Sequence, residues 1–184
     1  MDDRLAVALV EGSVRLEPFA EHHVEPLRAA CARDTEIWQI YPYSMLGEHF
    51  DAVMARRPAL DWVTLAVLQD GEVVGTTSYI NPDPVNGVVE IGGTYIQPSV
   101  RGTGFNDVMK RLMIDHAFTC DYRRIEFRVD ARNGRSQAAV LKLGATRERL
   151  LRRNRVTWTG YKRDTCVFGL LREEWKQPDP ASES

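Results

Sequence analysis

Cysteine is scarce in this chain of 184 residues, and the three that occur, Cys31, Cys120 and Cys166, lie far apart. No C-x-x-C pair is present, so neither a disulfide framework nor a zinc ribbon is expected. Long apolar runs are also missing. None approaches the roughly 20 residues that cross a bilayer, and the N-terminal apolar stretch is too short for a signal peptide. These absences predict a cytoplasmic protein in a reducing compartment, with no membrane partner.

The remaining composition is that of an ordinary globular protein, with 43% apolar and 27% charged residues. At roughly 150 residues per domain the length predicts a single domain, which we assign to residues 1–175. Residues 176–184 are polar and contain prolines, so they are predicted to form a disordered tail. A chain of this size buries about 70% of its unfolded surface and needs no metal to hold its core.

The net charge of −2 conceals a division along the chain. Residues 1–100 contain 6 Lys or Arg against 15 Asp or Glu, a net of −9, whereas residues 101–163 contain 16 against 6, a net of +10. The basic block either solvates the surface or meets a polyanion, such as nucleic acid or a phosphate-bearing cofactor. No aromatic side chain for base stacking interrupts the basic run at 147–155, so a solvated hairpin edge is preferred there and nucleic acid is not an expected partner.

Apolar periodicity predicts an α/β fold. Strands are expected at residues 14–16, 62–68, 72–79, 88–96, 124–129 and 165–170, with a hairpin turn at Asp70-Gly71 and a loop at 81–87. Helices are expected around residues 24–31, 50–54, 105–117 and 136–143. The order of these elements suggests a sheet with antiparallel outer strands and a centre that is closer to parallel.

The most informative stretch joins the strand at 88–96 to the helix that begins near Phe105, and it reads Q-P-S-V-R-G-T-G-F-N. Two glycines in a tight turn leave backbone N–H groups free, and the helix N-terminus behind them adds a positive dipole end. Together they suit a pyrophosphate; a plain strand-to-helix turn is the alternative. The dinucleotide pattern G-x-G-x-x-G and the P-loop pattern both fail here.

Residues 101–106 resemble the acetyl-CoA motif Q/R-x-x-G-x-G/A of the GCN5-related N-acetyltransferases (GNAT). Three further features agree with that family: Glu90 in the preceding strand, an Asn-x-x-Ser entry at Asn133 with a Lys-Leu-Gly-Ala end in the next strand–helix unit, and a closing strand that begins near Thr165. The combination spans about residues 14–175. It is similar to the ribosomal-protein-alanine (RimJ/RimL-like) branch of the family.

The resemblance implies the GNAT fold: a mixed, mostly antiparallel sheet of about seven strands, splayed between the strands at 88–96 and 124–129 and flanked by about four helices. It implies acetyl-CoA as co-substrate and no metal. The cofactor-binding residues that it implies are Tyr95, Ile96, Gln97, Arg101, Gly102, Thr103, Gly104, Phe105, Asn106, Asn133 and Ser136. Asn106 departs from the usual Gly or Ala, but its side chain is able to cap the helix or donate a hydrogen bond.

The resemblance also implies direct acetyl transfer to a primary amine, since no cysteine lies where it places the thioester. Glu90 matches the strand glutamate that serves as base in several members, with a structural role as the alternative. The tyrosine that often protonates the departing thiolate is replaced by Val140, so Ser136 or a water molecule is expected instead. A backbone N–H near Tyr95 or Ile96 would meet the oxyanion.

The charge division predicts the acceptor, because the acceptor surface of this fold comes mostly from the acidic first half. We therefore expect a cationic molecule, either a protein N-terminus or an amine-bearing small molecule. Two other functions stay open: a CoA-binding sensor or scaffold without turnover, which Val140 alone favours, and a nucleic-acid-binding module. A homodimer is also left open, and the sequence does not identify the acceptor.

Overall fold

One eight-stranded sheet organises residues 2–176, the part of the chain that this computed structural model describes. Its strands are β1 (Leu9–Glu11), β2 (Val14–Pro18), β3 (Trp62–Gln69), β4 (Glu72–Asp83), β5 (Val88–Ile96), β6 (Arg124–Asp130), β7 (Thr146–Val156) and β8 (Lys162–Leu171). The α-helices are α1 (Val24–Ala32), α2 (Glu48–Arg56), α3 (Phe105–Thr119) and α4 (Gly134–Lys142). None of these helices is long and apolar enough to span a membrane. From residue 177 onward the predicted tail lies outside the described residues.

The strands lie in the order β1-β2-β3-β4-β5-β6-β8-β7. Only β5 and β6 run parallel, and every other neighbouring pair is antiparallel. A parallel pair needs a crossover connection, which α3 supplies here. The mixed, mostly antiparallel sheet and the flanking helices are as the GNAT resemblance implied, with one strand more than the expected seven.

Two parts of the strand prediction were wrong in detail. The segment β1 was missed because it has only three residues and shows no buried apolar pattern; it pairs with β2 across a short turn. The predicted loop at 81–87 begins later, because β4 continues to Asp83, which pairs with Val88.

The charged run at 147–155 forms most of β7 at the sheet edge, where its side chains are largely exposed, so the predicted solvated edge is confirmed.

Each face of the sheet packs against its own helices. On what we call the α3 face, α3 and α4 cover a core that includes Leu65, Tyr79, Met109, Met113, Phe127 and Val140. On the opposite face, the α1 face, α1 and α2 cover a smaller core that includes Leu27, Cys31, Trp38, Phe50 and Tyr95. Apolar side chains are therefore buried on both faces of the sheet, and this burial stabilises it.

Strand alternation decides which face each β5 side chain meets. Val89 and Ile91 enter the core of the α3 face, so Glu90 between them points to the α1 face. A bulge follows, with Gly93 at a positive φ of 58°. The extra residue shifts the alternation, which places Tyr95 on the α1 face as well.

Candidate active site

The parallel strands β5 and β6 separate after a short ladder. They pair only at Val88 with Arg124, Val89 with Ile125, and Glu90 with Glu126. Beyond that point β5 stays bound to β4, and β6 stays bound to β8. The space between them, which we call the opening, is the splay that the GNAT resemblance implied at this place.

Glu90 stands on the last rung of that ladder, at the closed end of the opening. Its side chain is only 18% exposed, and its Oε2 lies 3.3 Å from Arg128 Nε. Burial raises the pKa of Glu90 above its ordinary value and outweighs the opposing effect of nearby arginines, first of all Arg128. A carboxylate with a raised pKa is a better proton acceptor than an exposed one, which suits general-base chemistry.

Tyr95 is held on the α1 face by its side chain. The hydroxyl donates to the Ala30 carbonyl at 2.9 Å, and the ring lies 4.7 Å from the Trp38 ring, centroid to centroid. The backbone of Tyr95 pairs with Thr76 of β4. These contacts fix the end of β5 against α1 and turn the Tyr95 side chain away from the opening.

Ile96 and Gln97 have backbone groups that point in opposite directions. The Gln97 N–H donates to the Val74 carbonyl at 2.8 Å. Because N–H groups alternate in direction along an antiparallel strand, the Ile96 N–H faces the opening. The Ile96 carbonyl accepts two hydrogen bonds from the Arg101 guanidinium, at 2.9 and 2.6 Å. Of the backbone contacts predicted at 95–97, the Ile96 N–H is therefore the one aimed at the opening, and its role stays a prediction.

The glycine loop between β5 and α3 is held in place by its own side chains. Arg101 bonds the Ile96 carbonyl and also pairs with Asp34 at 2.5 Å, so its guanidinium is committed to the α1 side. The Thr103 hydroxyl donates to the Val100 carbonyl at 2.9 Å. Gly102 and Gly104 adopt positive φ of 78° and 83°, which favours glycine at both positions.

The same loop presents unused backbone donors at the start of α3. None of the N–H groups of residues 102–106 donates to an acceptor within residues 2–176. A Cβ placed on Gly102 or Gly104 would meet nothing within 4 Å, so the loop is open at both glycines. Because a helix N-terminus carries a partial positive charge, the arrangement fits a pyrophosphate. Phe105 anchors the helix in the core, and Asn106 is half-buried beside it.

A cavity of about 690 Å³ adjoins this loop on the α3 face. Its lining includes Thr103, Gly104, Phe105, Arg111 and Lys142. The two basic side chains are paired, Arg111 with Glu11 and Lys142 with Asp107. The cavity therefore borders the glycine loop at Thr103 and Gly104 and reaches the end of α4 at Lys142.

Asn133 and Ser136 lie across the opening, at the start of α4. The Asn133 Oδ1 accepts a hydrogen bond from the Ser136 N–H at 3.0 Å, so Asn133 is the N-cap of the helix. The Ser136 side chain is half-exposed, whereas Val140 is buried in the α3-face core. The structure thus brings the predicted residues to the two sides of one opening, and their binding roles stay predictions.

Sequence reasoning missed Lys110, a buried lysine on α3. Its Nζ donates to the Thr94 Oγ1 at 2.7 Å, and no ion pair joins it to a carboxylate of the described residues. Burial lowers the pKa of Lys110 to about 7. A signal was present, because Lys110 precedes Met113, Ile114 and Ala117 by three, four and seven residues, which is the spacing of the apolar stripe.

Three arginines near Glu90 were not singled out either. Arg128 lies on β6, Arg155 on β7 and Arg163 on β8, and all three act on the Glu90 carboxylate electrostatically. Arg155 belongs to the run that was interpreted as a solvated edge. No sequence pattern joins these positions, because strand pairing alone brings them together.

One group of possible metal ligands occurs within residues 2–176. It consists of Glu17, His22 and His23, whose ligand atoms lie within 4.8 Å of one another. Ordinary hydrogen bonds account for the buried member: the His23 Nδ1 accepts from the Ala20 N–H at 3.0 Å, and Nε2 lies 2.8 Å from the Glu17 Oε1. The group therefore stabilises the turn before α1.

Comparison with known proteins agrees with this geometry. Residues 13–146 match the family model of the acetyltransferase (GNAT) domain. A structure from T. thermophilus described as an acetyltransferase is 34% identical, with a TM-score of 0.80 over 92% of this chain and 91% of that chain. A GCN5-related N-acetyltransferase from Brucella melitensis is 26% identical, with a TM-score of 0.83 over 92% of this chain and 80% of that chain.

A more distant likeness concerns the fold alone. RimJ from Mycobacterium smegmatis, in complex with CoA-disulfide, is 22% identical, with a TM-score of 0.73 over 89% of this chain and 84% of that chain. The family match covers most of the sequence, and the opening, the glycine loop and the sheet order agree with it. The chain belongs to the GNAT family of acetyltransferases, which are acyltransferase enzymes that use acetyl-CoA.

Proposed function

We propose that this protein transfers an acetyl group from acetyl-CoA directly to a primary amine, with Glu90 as the general base. The observation that carries the proposal is the position of Glu90. Its half-buried carboxylate stands where β5 and β6 separate, on the same strand as the Ile96 N–H that faces the opening. A base and a hydrogen-bond donor on one strand suit a reaction that removes a proton and creates an oxyanion.

The need for a base follows from the acceptor. An α-amine has a pKa near 8 and a lysine amine one of about 10.4, so most acceptor molecules are protonated at neutral pH. Because burial raises the pKa of Glu90, its carboxylate is better matched to that proton than an exposed glutamate. The proton leaves the amine for the Glu90 carboxylate, directly or through a water molecule, before nitrogen attacks the acetyl carbonyl.

Acetyl-CoA fits the residues at the other end of the opening. The free N–H groups of residues 102–106 would hold its pyrophosphate, and the Ile96 N–H would hold the pantetheine arm. Asn133 and Ser136 would border the arm from the α4 side, with Ser136 or water donating a proton to the thiolate. The cavity of about 690 Å³ beside the loop has room for the nucleotide end.

Direct transfer, without an acetyl-cysteine, is supported by the cysteine positions. Cys31 and Cys166 are buried in the two cores, and Cys120 ends α3. None of them lies beside Glu90 or the glycine loop. The amine and acetyl-CoA are therefore bound together when the acetyl group moves.

The acceptor is an amine of a protein N-terminus or of a small molecule. The charge division along the chain predicts a cationic acceptor, and the fold shared with RimJ favours a protein N-terminus as one form of it. Both points stay predictions. The charged side chains nearest Glu90 argue for the opposite sign of charge, because arginines predominate there.

The second candidate is a CoA-binding sensor without turnover, which Val140 in the usual tyrosine position favours. The two candidates separate in a single set of measurements: calorimetric titration with CoA, followed by release of free thiol from acetyl-CoA with a panel of primary amines. An enzyme binds CoA and releases thiol only when an amine is present. Binding without release for amino acids, polyamines and peptide N-termini would favour the sensor, and absence of CoA binding would overturn both.

A further inference from the structure

Strand register places several charged side chains on the same face as Glu90. Glu90 pairs with Glu126, and residues two and four positions further along β6 are Arg128 and Asp130. Because alternate strand residues share a face, these four side chains all point to the α1 face. Asp130 is buried, whereas Arg128 is partly exposed and reaches both Glu90 and Glu126 at 3.3 Å.

The next two strands continue this row of charges. Asp130 pairs with Thr165 of β8, so Arg163, two residues before Thr165, also lies on the α1 face. Arg163 pairs in turn with Arg155 of β7, directly across the hairpin. Two arginines thus stand side by side at the end of the row, on different strands, and both act electrostatically on Glu90.

These two arginines have few partners of their own. Asp130 binds Arg132 at 2.9 Å and lies farther from Arg163, at 3.8 Å. The only hydrogen bond that the Arg163 side chain donates within residues 2–176 runs to the Arg128 carbonyl, at 3.2 Å. The Arg155 side chain has no hydrogen bond or ion pair to any residue of that range. The buried Asp130 carboxylate is thus shared between Arg132 and Arg163, whereas Arg155 has no close carboxylate within those residues.

Arg163 gives the stronger indication of an anion site, because it is buried. Only 6% of the residue is exposed, and its Nε has no hydrogen-bond partner. A buried charged donor without an acceptor costs more free energy than an exposed one, and it stabilises any anion that reaches it. An arginine placed in this way is typical of sites that bind carboxylate or phosphate.

The hairpin that carries these arginines is fixed over the α1 face. The Trp158 indole N–H donates to the Trp38 carbonyl at 2.7 Å, and the Trp158 backbone N–H donates to the Pro42 carbonyl at 3.1 Å. The guanidinium of Arg132 lies 3.7 Å from the Tyr161 ring centroid. The end of the hairpin that carries Arg155 and Arg163 is therefore docked on the α1 face, although Arg155 itself is exposed on the edge strand β7.

We propose that Arg155 and Arg163 bind an anionic group of the acceptor, so that the acceptor is an amine that also carries a carboxylate or a phosphate. The inference rests on the proposed function, since it takes Glu90 to mark the position of the amine. It reverses the sign that the charge division predicted, because charge summed along the chain does not report which side chains meet at one place. The planar guanidinium of an arginine pairs with either anion through two parallel hydrogen bonds.

Three amines with one skeleton test the subsite: phenethylamine, phenylalanine and 1-amino-2-phenylethylphosphonate. They differ only in bearing no anion, a carboxylate or a phosphonate beside the amine. Thiol release gives kcat/KM for each, corrected for the fraction of neutral amine. We expect at least one anionic member to exceed phenethylamine by about tenfold to a hundredfold, as for a charged hydrogen-bonded pair. The better of the two anions identifies carboxylate or phosphate.

Variants of β7 connect that preference to the arginines. Because Arg155 is exposed, the variant Arg155→Gln is expected to fold. It should reduce the preference for the anionic amines at least tenfold. Arg147→Gln is the matched control, since it removes the same charge from the same strand but pairs with Phe168 of the α3-face core. It should keep the preference. Arg163→Lys, which retains the charge but loses the planar guanidinium, should give an intermediate preference.

The results distinguish failure of the subsite from failure of the proposed function. Thiol release with phenethylamine at or above the rate of both anionic amines would overturn the subsite and leave the acetyltransferase intact. An unchanged preference in Arg155→Gln would do the same. If no amine is acetylated, calorimetry with N-acetylphenylalanine and N-acetylphenethylamine decides: tighter binding of the first supports the subsite, and equal binding or none overturns it.

Discussion

The two ends of the opening present different kinds of chemical group. At the glycine loop the groups that face the open space are backbone N–H groups, and the nearby side chains of Arg101 and Thr103 hold the loop itself. Around Glu90 the charged groups are side chains, which come from β5, β6, β7 and β8. A backbone site depends on local conformation, whereas a side-chain site depends on the register of several strands.

This difference predicts different responses to mutation. A substitution at the loop should act when it changes backbone conformation or fills the open space. A substitution on the α1 face should act when it removes a charge. A buried charge on the α3 face should then affect stability more than recognition.

The largest expected effect is on stability, and it comes from replacing the buried Lys110 of the α3 face. Its pKa is about 7 in the folded chain and near 10.5 when unfolded, so the unfolded state binds more protons between these values. Stability therefore rises with pH through this window, by about 2 kcal/mol between pH 7 and pH 9. Denaturant unfolding of Lys110→Met at several pH values should lack that rise.

Lys162→Met is the matched control, because Lys162 is exposed on β8, and it should keep the wild-type slope. Measurements above pH 9 are avoided, since burial raises the pKa of Cys31 to about 12 and stability is then lost as the unfolded thiol ionises. A slope that survives in Lys110→Met would show that another group titrates. A large loss of CoA affinity in that variant would contradict the division between the two ends.

Gly104→Ala tests the glycine loop, and its expected effect is smaller. At a positive φ the added Cβ costs about 1 kcal/mol of stability, and it enters the space in front of the free N–H groups. CoA affinity should therefore fall about tenfold or more in calorimetry, which is about 1.4 kcal/mol.

Gly160→Ala provides the comparison, because Gly160 also has a positive φ of 80° and open space around it, but it lies in the β7–β8 hairpin. It should lose similar stability and keep wild-type CoA affinity. Equal CoA affinity in both variants would remove the glycine loop from the binding site.

The same contrast explains how far the sequence could be interpreted. The loop at 97–106 was recognisable because its glycines, the strand before it and the apolar stripe of α3 are contiguous. The position of Glu90 at the strand separation followed from the family resemblance. β1 was too short to leave a periodic signal. The basic run in β7 was interpreted as a solvated edge because no aromatic side chains interleave it.

The charge around Glu90 could not be predicted in this way. Arg155 and Arg163 are eight positions apart in sequence, and only the β6–β8 and β7–β8 ladders bring them to the face that carries Arg128 and Glu90. A sum over the first hundred residues assigned an acidic character to the acceptor side. The arginines that act on Glu90 belong to the other half of the chain, so that sum did not include them.

The most direct test of the account is Glu90→Gln, assayed for CoA affinity and for acetyl transfer as a function of pH. Glu148→Gln, which removes another arginine-paired carboxylate, is its control. We expect CoA affinity to stay within about twofold of wild type, and kcat/KM to fall about a hundredfold or more below the pKa of the acceptor amine. Because a neutral amine needs no base, the deficit should shrink above that pKa. Rates equal to wild type at every pH would contradict the assignment of Glu90 as the base.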